Sequence, residues 1–274
     1  MPSRSSGRED GESAVAERKR DGGHWVYGVH AVRALLERRP EGVVAAALLR
    51  GSRASTLPDI ERKLASCAIP VERVDRVALD RLTSGGTHQG VAVRTRGLGE
   101  IGIRELESLA LERGKALRLL VLDQVQDPRN LGACLRTADA AGVDAVVVPR
   151  SRSAKLTPAA VKAAAGAAET VRLARVSNLA STLHWLKEAG VWVVGADADT
   201  PRSLHDAQLD APIAVVVGGE GHGLRRLTRE LCDEIVSIPL RGTVASLNVS
   251  VAAAILLFEL DRQIRSRSPA RRPA

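Results

Sequence analysis

The side chains that could carry chemistry in this sequence lie in three short blocks. Residues 122–142 read LDQVQDPRNLGACLRTADAAG, residues 215–224 read VVVGGEGHGL, and residues 238–250 read IPLRGTVASLNVS. The polar side chains of these blocks are amides, hydroxyls, carboxylates and arginines, which bind and orient a polar substrate through hydrogen bonds and charge. Such groups need no covalent intermediate, so they suit a reaction in which the enzyme mainly aligns two reactants.

The middle block is a short apolar run followed by a glycine-rich turn. Four glycines fall within the six residues 218–223. Backbone without side chains allows a ligand to approach closely. An ordinary turn from a strand into a helix would show the same pattern, so the glycines alone do not establish a binding site.

The polar residues of the other two blocks each have a structural alternative. Asn130 stands where a helix would begin, and Ser246 or Asn248 could cap the last helix by accepting a backbone N–H. Arg136 would project from the helix after Asn130, where an arginine is commonly a surface or ion-pair residue. A capping role and a binding role can coexist, so residue type alone leaves these roles open.

The elements that must position the blocks follow an alternating pattern from Leu117 onward. Apolar runs, among them residues 117–123, 213–219 and 235–240, alternate with helical segments, and Thr157-Pro158 has the form of a helix start. This alternation predicts a parallel sheet with helices on both faces. A common dinucleotide-binding or methyl-donor domain has glycines directly after its first strand, whereas here no glycine follows the first strand before Gly132.

The remainder of the chain divides into a smaller unit and connecting segments. Residues 25–95 predict a small α/β unit, in which Val29, Val32, Leu35 and Leu36 recur at helical spacing. Residues 96–116 are interpreted as a linker that contains a helix. The charged residues 1–24 predict a disordered tail, residues 117–265 the second domain, and residues 266–274 an Arg-rich tail.

Composition restricts the partners. A net charge of +8 and a pI near 10.1 favour a polyanion, namely RNA, DNA or an anionic membrane. The sequence has neither an apolar run long enough to cross a bilayer nor the apolar core of a secretory signal. Three widely spaced cysteines indicate reduced thiols in the cytoplasm, and the six histidines lack the paired spacing of a metal site.

Together, and in this order, the three blocks resemble the signature motifs of the SpoU/TrmH branch of the SPOUT methyltransferases. Those enzymes transfer a methyl group from S-adenosylmethionine to a ribose 2′-hydroxyl of RNA. The smaller unit, with VYGVHAVRALLE near its start and HQGVAV near its end, resembles the ribosomal-protein-like RNA-binding domain of some SpoU enzymes. The resemblance implies an α/β SPOUT domain with a deep trefoil knot, and a homodimer formed through that domain.

The resemblance also implies roles for individual residues. Arg136 matches an arginine that orients the RNA phosphate, and His222 falls at a position that the family does not use. Arginine is almost never neutral in proteins, so a phosphate-binding role is preferred over proton abstraction. The implied catalytic residues are Asn130, Arg136, Glu220, Ser246 and Asn248, and the implied S-adenosylmethionine-binding residues are Gly218, Gly219, Ile238, Leu240 and Leu247.

The implied substrate is a guanosine of 23S rRNA, since the two-domain layout is most similar to bacterial 23S rRNA guanosine-2′-O-methyltransferases. A tRNA ribose methyltransferase is the alternative within the enzyme class. A non-catalytic RNA-binding assembly factor is the alternative outside it, and the joint presence of the five polar residues disfavours it. No residue in the sequence identifies the modified nucleotide.

Overall fold

The computed structural model describes residues 24–51, 56–96, 98–219 and 223–267, which form two compact units, Met1–Gly97 and Leu98–Ala274. The expectations for residues 1–23 and for the end of the Arg-rich tail, residues 268–274, lie outside the described residues. No helix within the described ranges is long and apolar enough to span a membrane.

The first unit is a mixed four-stranded sheet with the strand order β1-β4-β2-β3. Strand β4 is antiparallel to β1 and β2, and β2 is parallel to β3. The four apolar residues expected at helical spacing are the buried residues of the first helix, so that prediction is confirmed. In chain order the elements are β1 (His24–Tyr27), α1 (Val29–Arg38), β2 (Val43–Leu49), α2 (Leu57–Ser66), β3 (Val71–Val74), α3 (Arg76–Leu82) and β4 (Val91–Thr95).

The second unit is a seven-stranded sheet in which every pair of neighbouring strands is parallel, as the alternation predicts. Its strand order is β11-β9-β10-β6-β7-β8-β5. Its elements are β5 (Glu100–Ile101), α4 (Ile103–Arg113), β6 (Arg118–Asp123), α5 (Pro128–Ala140), β7 (Ala145–Pro149), α6 (Pro158–Ala164), β8 (Arg172–Val176), α7 (Leu179–Glu188), β9 (Trp192–Ala196), β10 (Ile213–Gly218), α8 (Arg226–Leu231), β11 (Glu234–Val236) and α9 (Val249–Arg267).

The segment expected to be a linker is largely built into the second unit. Strand β5 pairs with β8, and the α4 side chains Leu106 and Leu109 are buried in one of the two cores that flank the sheet. Burying two leucines stabilises a fold by about 1.5–3 kcal/mol each. The amphipathic spacing that suggested a helix here therefore marks a helix of the second unit.

The strand order places a switch point between β6 and β10. Strands β6, β7 and β8 follow one another in one direction across the sheet, whereas β9, β10 and β11 lie on the other side of β6. In open parallel sheets, ligands bind beyond the carboxyl ends of the strands at such a reversal. Asp123 and Gly218 are register partners at these carboxyl ends, so the first two sequence blocks meet there.

The last helix, α9, packs against α5 and β10. Its buried side chains include Ala253, Leu256 and Leu257, while Val251 and Phe258 are 46% and 49% exposed. The structure uses one face of this helix for the core. The other face leaves apolar side chains in solvent.

Candidate active site

The glycine-rich turn packs directly on the loop that follows β6. The backbone N–H of Gly219 donates to the carbonyl of Asp123 at 2.7 Å. A Cβ on Gly219 would lie 2.2 Å from the carbonyl oxygen of Gln124, and one on Gly218 would lie 2.0 Å from the carbonyl carbon of Gly223. No side chain fits at such distances, so backbone packing alone requires glycine at both positions.

A buried ion pair fixes the far end of the same turn. The carboxylate of Asp123 is fully buried and accepts from the backbone N–H of Arg225 at 3.0 Å and from its Nε at 2.7 Å. A buried carboxylate must be paired because desolvation of its charge is costly. This pair joins the first block to the residues just after the second, and no local sequence pattern predicts it because its partners are about a hundred positions apart.

The first and third blocks meet through two amides. The Nδ2 of Asn248 donates to the Oδ1 of Asn130 at 3.1 Å, across 118 positions of sequence. The Oδ1 of Asn248 also accepts from the backbone N–H of Ser250 at 2.9 Å and from its hydroxyl at 2.7 Å. Asn248 therefore caps α9 and contacts the first block at once, which is the coexistence of roles that the sequence left open.

The prediction that Asn130 caps the helix of the first block is wrong. Helix α5 begins at Pro128, and its cap is Asp127, whose side chain accepts from the N–H of Arg129 at 2.7 Å. An aspartate before a proline is a strong start signal, and it moves Asn130 into the first helical turn. The amide of Asn130 is thereby available to reach Asn248.

Arg136 lies further along α5 and is exposed, and its side chain makes no hydrogen bond or ion pair with another described residue. The side of α5 at Gly132 faces α6 so closely that a Cβ there would lie 2.2 Å from the carbonyl oxygen of Ala160. The backbone of α5 is therefore held firmly while the guanidinium of Arg136 remains able to bind an anion.

The third block is a loop, not the strand expected over residues 235–240. Strand β11 ends at Val236, and Ser237 continues its pairing by donating to the carbonyl of Arg202 and accepting from the N–H of Leu204, both at 2.8 Å. Proline at position 239 cannot donate to a ladder, which explains the early end. Ile238 and Leu240 therefore lie in the loop, and both are half-buried.

We call residues 238–247 the late loop. Within the described part of the chain, none of its residues forms a hydrogen bond, although Ile238, Leu240 and Leu247 are half-buried. Ser246 is exposed in this loop and does not cap α9, because Asn248 does. Partly buried backbone groups normally have partners, so the late loop offers donors and acceptors to a ligand.

Three positions of the second block, Glu220, Gly221 and His222, lie outside the described residues. Among the predicted catalytic residues that the structure describes, a hydrogen bond joins Asn130 to Asn248, whereas no described contact joins Arg136 or Ser246 to them. Among the described residues there is no group of three or more His, Cys, Asp or Glu that could hold a metal ion.

Two other polar features serve the fold. In the first unit, His88 accepts from the N–H of Gly90 through Nδ1 and contacts Asp80 through Nε2, both at 3.0 Å, while Gln89 accepts from the N–H of Val29. These two side chains therefore stabilise the turn that precedes β4. In the second unit, the pKa of the Cys232 thiol is raised to about 12. Burial of the thiol is the largest cause, and the negative charge of Asp233 is the second.

Comparison with known proteins identifies the family of this chain. The model of the SpoU rRNA methylase family matches residues 118–258, which is half of the chain and contains all three blocks. The chain belongs to this family. A second model, described as RNA 2′-O ribose methyltransferase substrate binding, matches residues 25–99, which correspond to the first unit.

Relatives of this SpoU protein extend over both units. The 23S rRNA (guanosine-2′-O-)-methyltransferase RlmB of Yersinia pestis is 48% identical over 238 residues, 87% of this chain and 96% of the relative. The RlmB of Vibrio parahaemolyticus is 45% identical over 239 residues, with the same coverage of both chains.

Solved structures share the fold. The SpoU methyltransferase AviRb from Streptomyces viridochromogenes, in complex with AdoMet, has a TM-score of 0.69 at 22% identity. The match covers 90% of this chain and 92% of AviRb. The TrmH/SpoU tRNA modifying enzyme of A. aeolicus has a TM-score of 0.51 at 28% identity, over 60% of this chain and 84% of its own.

Proposed function

We propose that this protein transfers a methyl group from S-adenosylmethionine to the ribose 2′-hydroxyl of a guanosine in 23S rRNA. The observation that carries the proposal is that hydrogen bonds bring three distant sequence blocks together. Gly219 of the second block donates to Asp123 of the first, and Asn248 of the third block donates to Asn130 of the first. The relatives that extend over both units at 45–48% identity are named for this reaction. Their near-complete coverage supports the same substrate class for this chain.

S-adenosylmethionine fits the late loop. Its adenine and its amino acid end present donors, acceptors and apolar surface, and the late loop offers unpaired backbone groups beside half-buried Ile238, Leu240 and Leu247. Gly218 and Gly219 would border the same site from the glycine-rich turn. When bound, the cofactor supplies a methyl group already activated by its sulfonium.

The side chains of the protein then align the substrate. Arg136 holds an RNA phosphate, since its guanidinium is exposed, charged and without a described partner. Asn130, Asn248 and Ser246 orient the ribose by hydrogen bonds, and the Asn130–Asn248 contact restricts the amides to one arrangement. Methyl transfer is accelerated by the alignment of the reactants and by the exclusion of water, which can lower the activation free energy by several kcal/mol. Glu220 acts beside them as a fixed acid that orders the loops.

Three further features belong to the proposal. The carboxy-terminal segment passes through a loop to form a trefoil knot, and the first unit is a ribosomal-protein-like RNA-binding domain. The chain forms a homodimer, with the exposed α9 face around Val251 and Phe258 buried against a second copy, because an apolar helix face of this kind is normally covered. Action on rRNA implies a cytoplasmic location.

The test is a methylation assay with labelled S-adenosylmethionine and unmodified 23S rRNA transcribed in vitro, with unmodified tRNA in a parallel reaction. Resistance of one phosphodiester bond to alkali identifies a 2′-O-methylated ribose. We expect one modified guanosine in 23S rRNA and none in tRNA. Modification of tRNA alone would establish the alternative substrate.

Calorimetry separates the enzyme from a non-catalytic assembly factor. A methyltransferase binds S-adenosylmethionine with measurable heat, whereas a pure RNA-binding protein gives none. The absence of both heat and methyl transfer would overturn the proposal.

A further inference from the structure

The loop between β7 and α6 carries an unusual set of cations. In residues 150–157, which we call the basic loop, Arg150, Arg152 and Lys155 are exposed, and none of them forms an ion pair with another described residue. Elsewhere in the second unit most arginines face a carboxylate, for example Arg118 beside Asp261. Three neighbouring cations without carboxylates form a local surface for an anion.

The basic loop is held in place by hydrogen bonds from Arg175 of β8. Arg175 donates from Nη1 to the hydroxyl of Ser153 at 2.9 Å and from Nη2 to the carbonyl of Ala154 at 3.0 Å. The guanidinium of Arg175 is in turn fixed by both oxygens of Glu100, at 2.6 and 2.7 Å. A charge-assisted pair with two parallel bonds restrains orientation strongly, so the cations project from a rigid support.

Two observations connect the basic loop with the site. Strand β7 is the neighbour of β6, and the N–H of Ala154 donates to the carbonyl of Val125 in the first block at 2.8 Å. Arg152 has a φ of 54°, in the left-handed region that a non-glycine residue rarely adopts. Such backbone persists only where the surroundings fix it.

We propose that the cations of the basic loop bind phosphates of the RNA strand next to the modified nucleotide, and we call this surface the docking strip. The proposal rests on the function proposed above and extends the RNA contact beyond Arg136. Leu156 packs on the core and Ala154 is buried, so the loop presents cations and small polar groups but no large apolar side chain. This chemistry fits a polyanion in which charges are spaced along a chain.

The test compares two double variants that each remove one lysine and one arginine. Arg152→Gln/Lys155→Gln changes the basic loop, and Lys115→Gln/Arg172→Gln changes exposed cations at the opposite, amino-terminal edge of the sheet. The dissociation constant for unmodified 23S rRNA is measured between 50 and 300 mM salt, together with the KM for RNA. The Kd for S-adenosylmethionine and the melting temperature check that the fold and the cofactor site are intact.

For the basic-loop variant we expect the Kd for RNA to rise roughly five- to tenfold, and the slope of log affinity against log salt to fall by about 1.4, which corresponds to two lost phosphate contacts. The KM for RNA should rise with the Kd, and kcat should change little. The opposite-edge variant, and the charge-retaining variant Arg152→Lys/Lys155→Arg, should behave as the wild type.

An unchanged slope and KM in Arg152→Gln/Lys155→Gln, with methylation intact, would overturn the docking strip and leave the proposed function standing. If Arg152→Gln/Lys155→Gln lowers the slope as expected but the wild type transfers no methyl group, the proposed function fails and the basic loop remains an RNA-binding surface. An equal loss in both double variants would also overturn the strip, because it would indicate a general charge effect.

Discussion

Two loops at the carboxyl edge of the same parallel sheet are held in opposite ways. The basic loop is fixed by side chains and backbone: Arg175 supports Ser153 and Ala154 from below, and Ala154 bonds to Val125. The late loop is held by hydrogen bonds at its two ends, Ser237 and Asn248, and Ile238 packs on the core, but no residue between the two ends hydrogen-bonds to a described residue. This difference matches the two ligands proposed for the loops. A phosphate strip can be built in advance from cations on a rigid support, whereas a loop with free backbone groups is completed by the molecule it binds.

The largest effect is expected at Arg136, which belongs to neither loop. Arg136→Ala should lower the rate of methyl transfer by about 10²–10³-fold, as the loss of one charged donor at a reacting centre commonly does. Cofactor binding and thermal stability should change little, because this side chain is exposed and makes no described contact. Arg129→Ala, at another exposed arginine of α5, is the matched control. Wild-type turnover in Arg136→Ala would remove this residue from the site.

A charge in the late loop should separate cofactor binding from RNA binding. Leu247→Asp replaces a half-buried apolar side chain with a carboxylate, and we expect the Kd for S-adenosylmethionine to rise about 10- to 100-fold, since burial of a leucine is worth about 1.5–3 kcal/mol. The RNA affinity of the cofactor-free protein should remain within twofold. Val244→Asp changes a residue of the same loop that is 61% exposed, and it should alter cofactor binding much less. Equal effects of the two variants would argue against a role for Leu247.

Loosening the basic loop should weaken RNA binding and leave cofactor binding unchanged. Glu100→Gln weakens the two bonds that hold Arg175, so the cations would have to be ordered when RNA binds. Ordering an interfacial side chain costs about 0.5–1.5 kcal/mol, which predicts a roughly threefold rise in the Kd for RNA. The affinity for S-adenosylmethionine should not change. Glu230→Gln, which removes an exposed ion pair with Arg226, is the control, and an identical rise there would contradict the supporting role of Glu100.

The smallest effect concerns acid stability of the helix at the end of the late loop. The Arg262 guanidinium, together with Gln263, lowers the pKa of the Glu259 carboxyl from 4.5 to about 2. Because the folded-state pKa is depressed, this interaction stabilises the fold above pH 4.5, and the stabilisation is lost as pH falls from 4.5 to about 2. Glu259→Gln should therefore melt slightly below the wild type at neutral pH, with the difference in melting temperature disappearing towards pH 2. A difference that stays constant with pH would contradict this account.

The sequence predicted the elements better than their ends. Apolar periodicity located the helix of the first unit through Val29, Val32, Leu35 and Leu36, because burial dominates in such regular segments. The helix start at Asn130 and the end of the strand predicted over residues 235–240 were wrong. In both places a proline and its neighbours decide the boundary, and the apolar pattern continues past it.

The site could be predicted as three blocks but not as a geometry. The contacts that close it, Asp123 with Arg225 and Asn130 with Asn248, join residues about a hundred positions apart, and no local pattern encodes them. The glycines at positions 218 and 219 predicted the close approach of a ligand, whereas their near neighbours in the structure are backbone atoms of the protein itself.

Hydrogen–deuterium exchange with and without S-adenosylmethionine tests the central claim most directly. The amides of the late loop should exchange rapidly in the free protein and become strongly protected when the cofactor binds, because they have no partners within the described protein. The amides of Arg150 and Ala154 in the basic loop, which already donate to Val176 and Val125, should be protected in both states. Protection that appears beside Asp123 and Asp127 while residues 238–247 exchange unchanged would contradict the account.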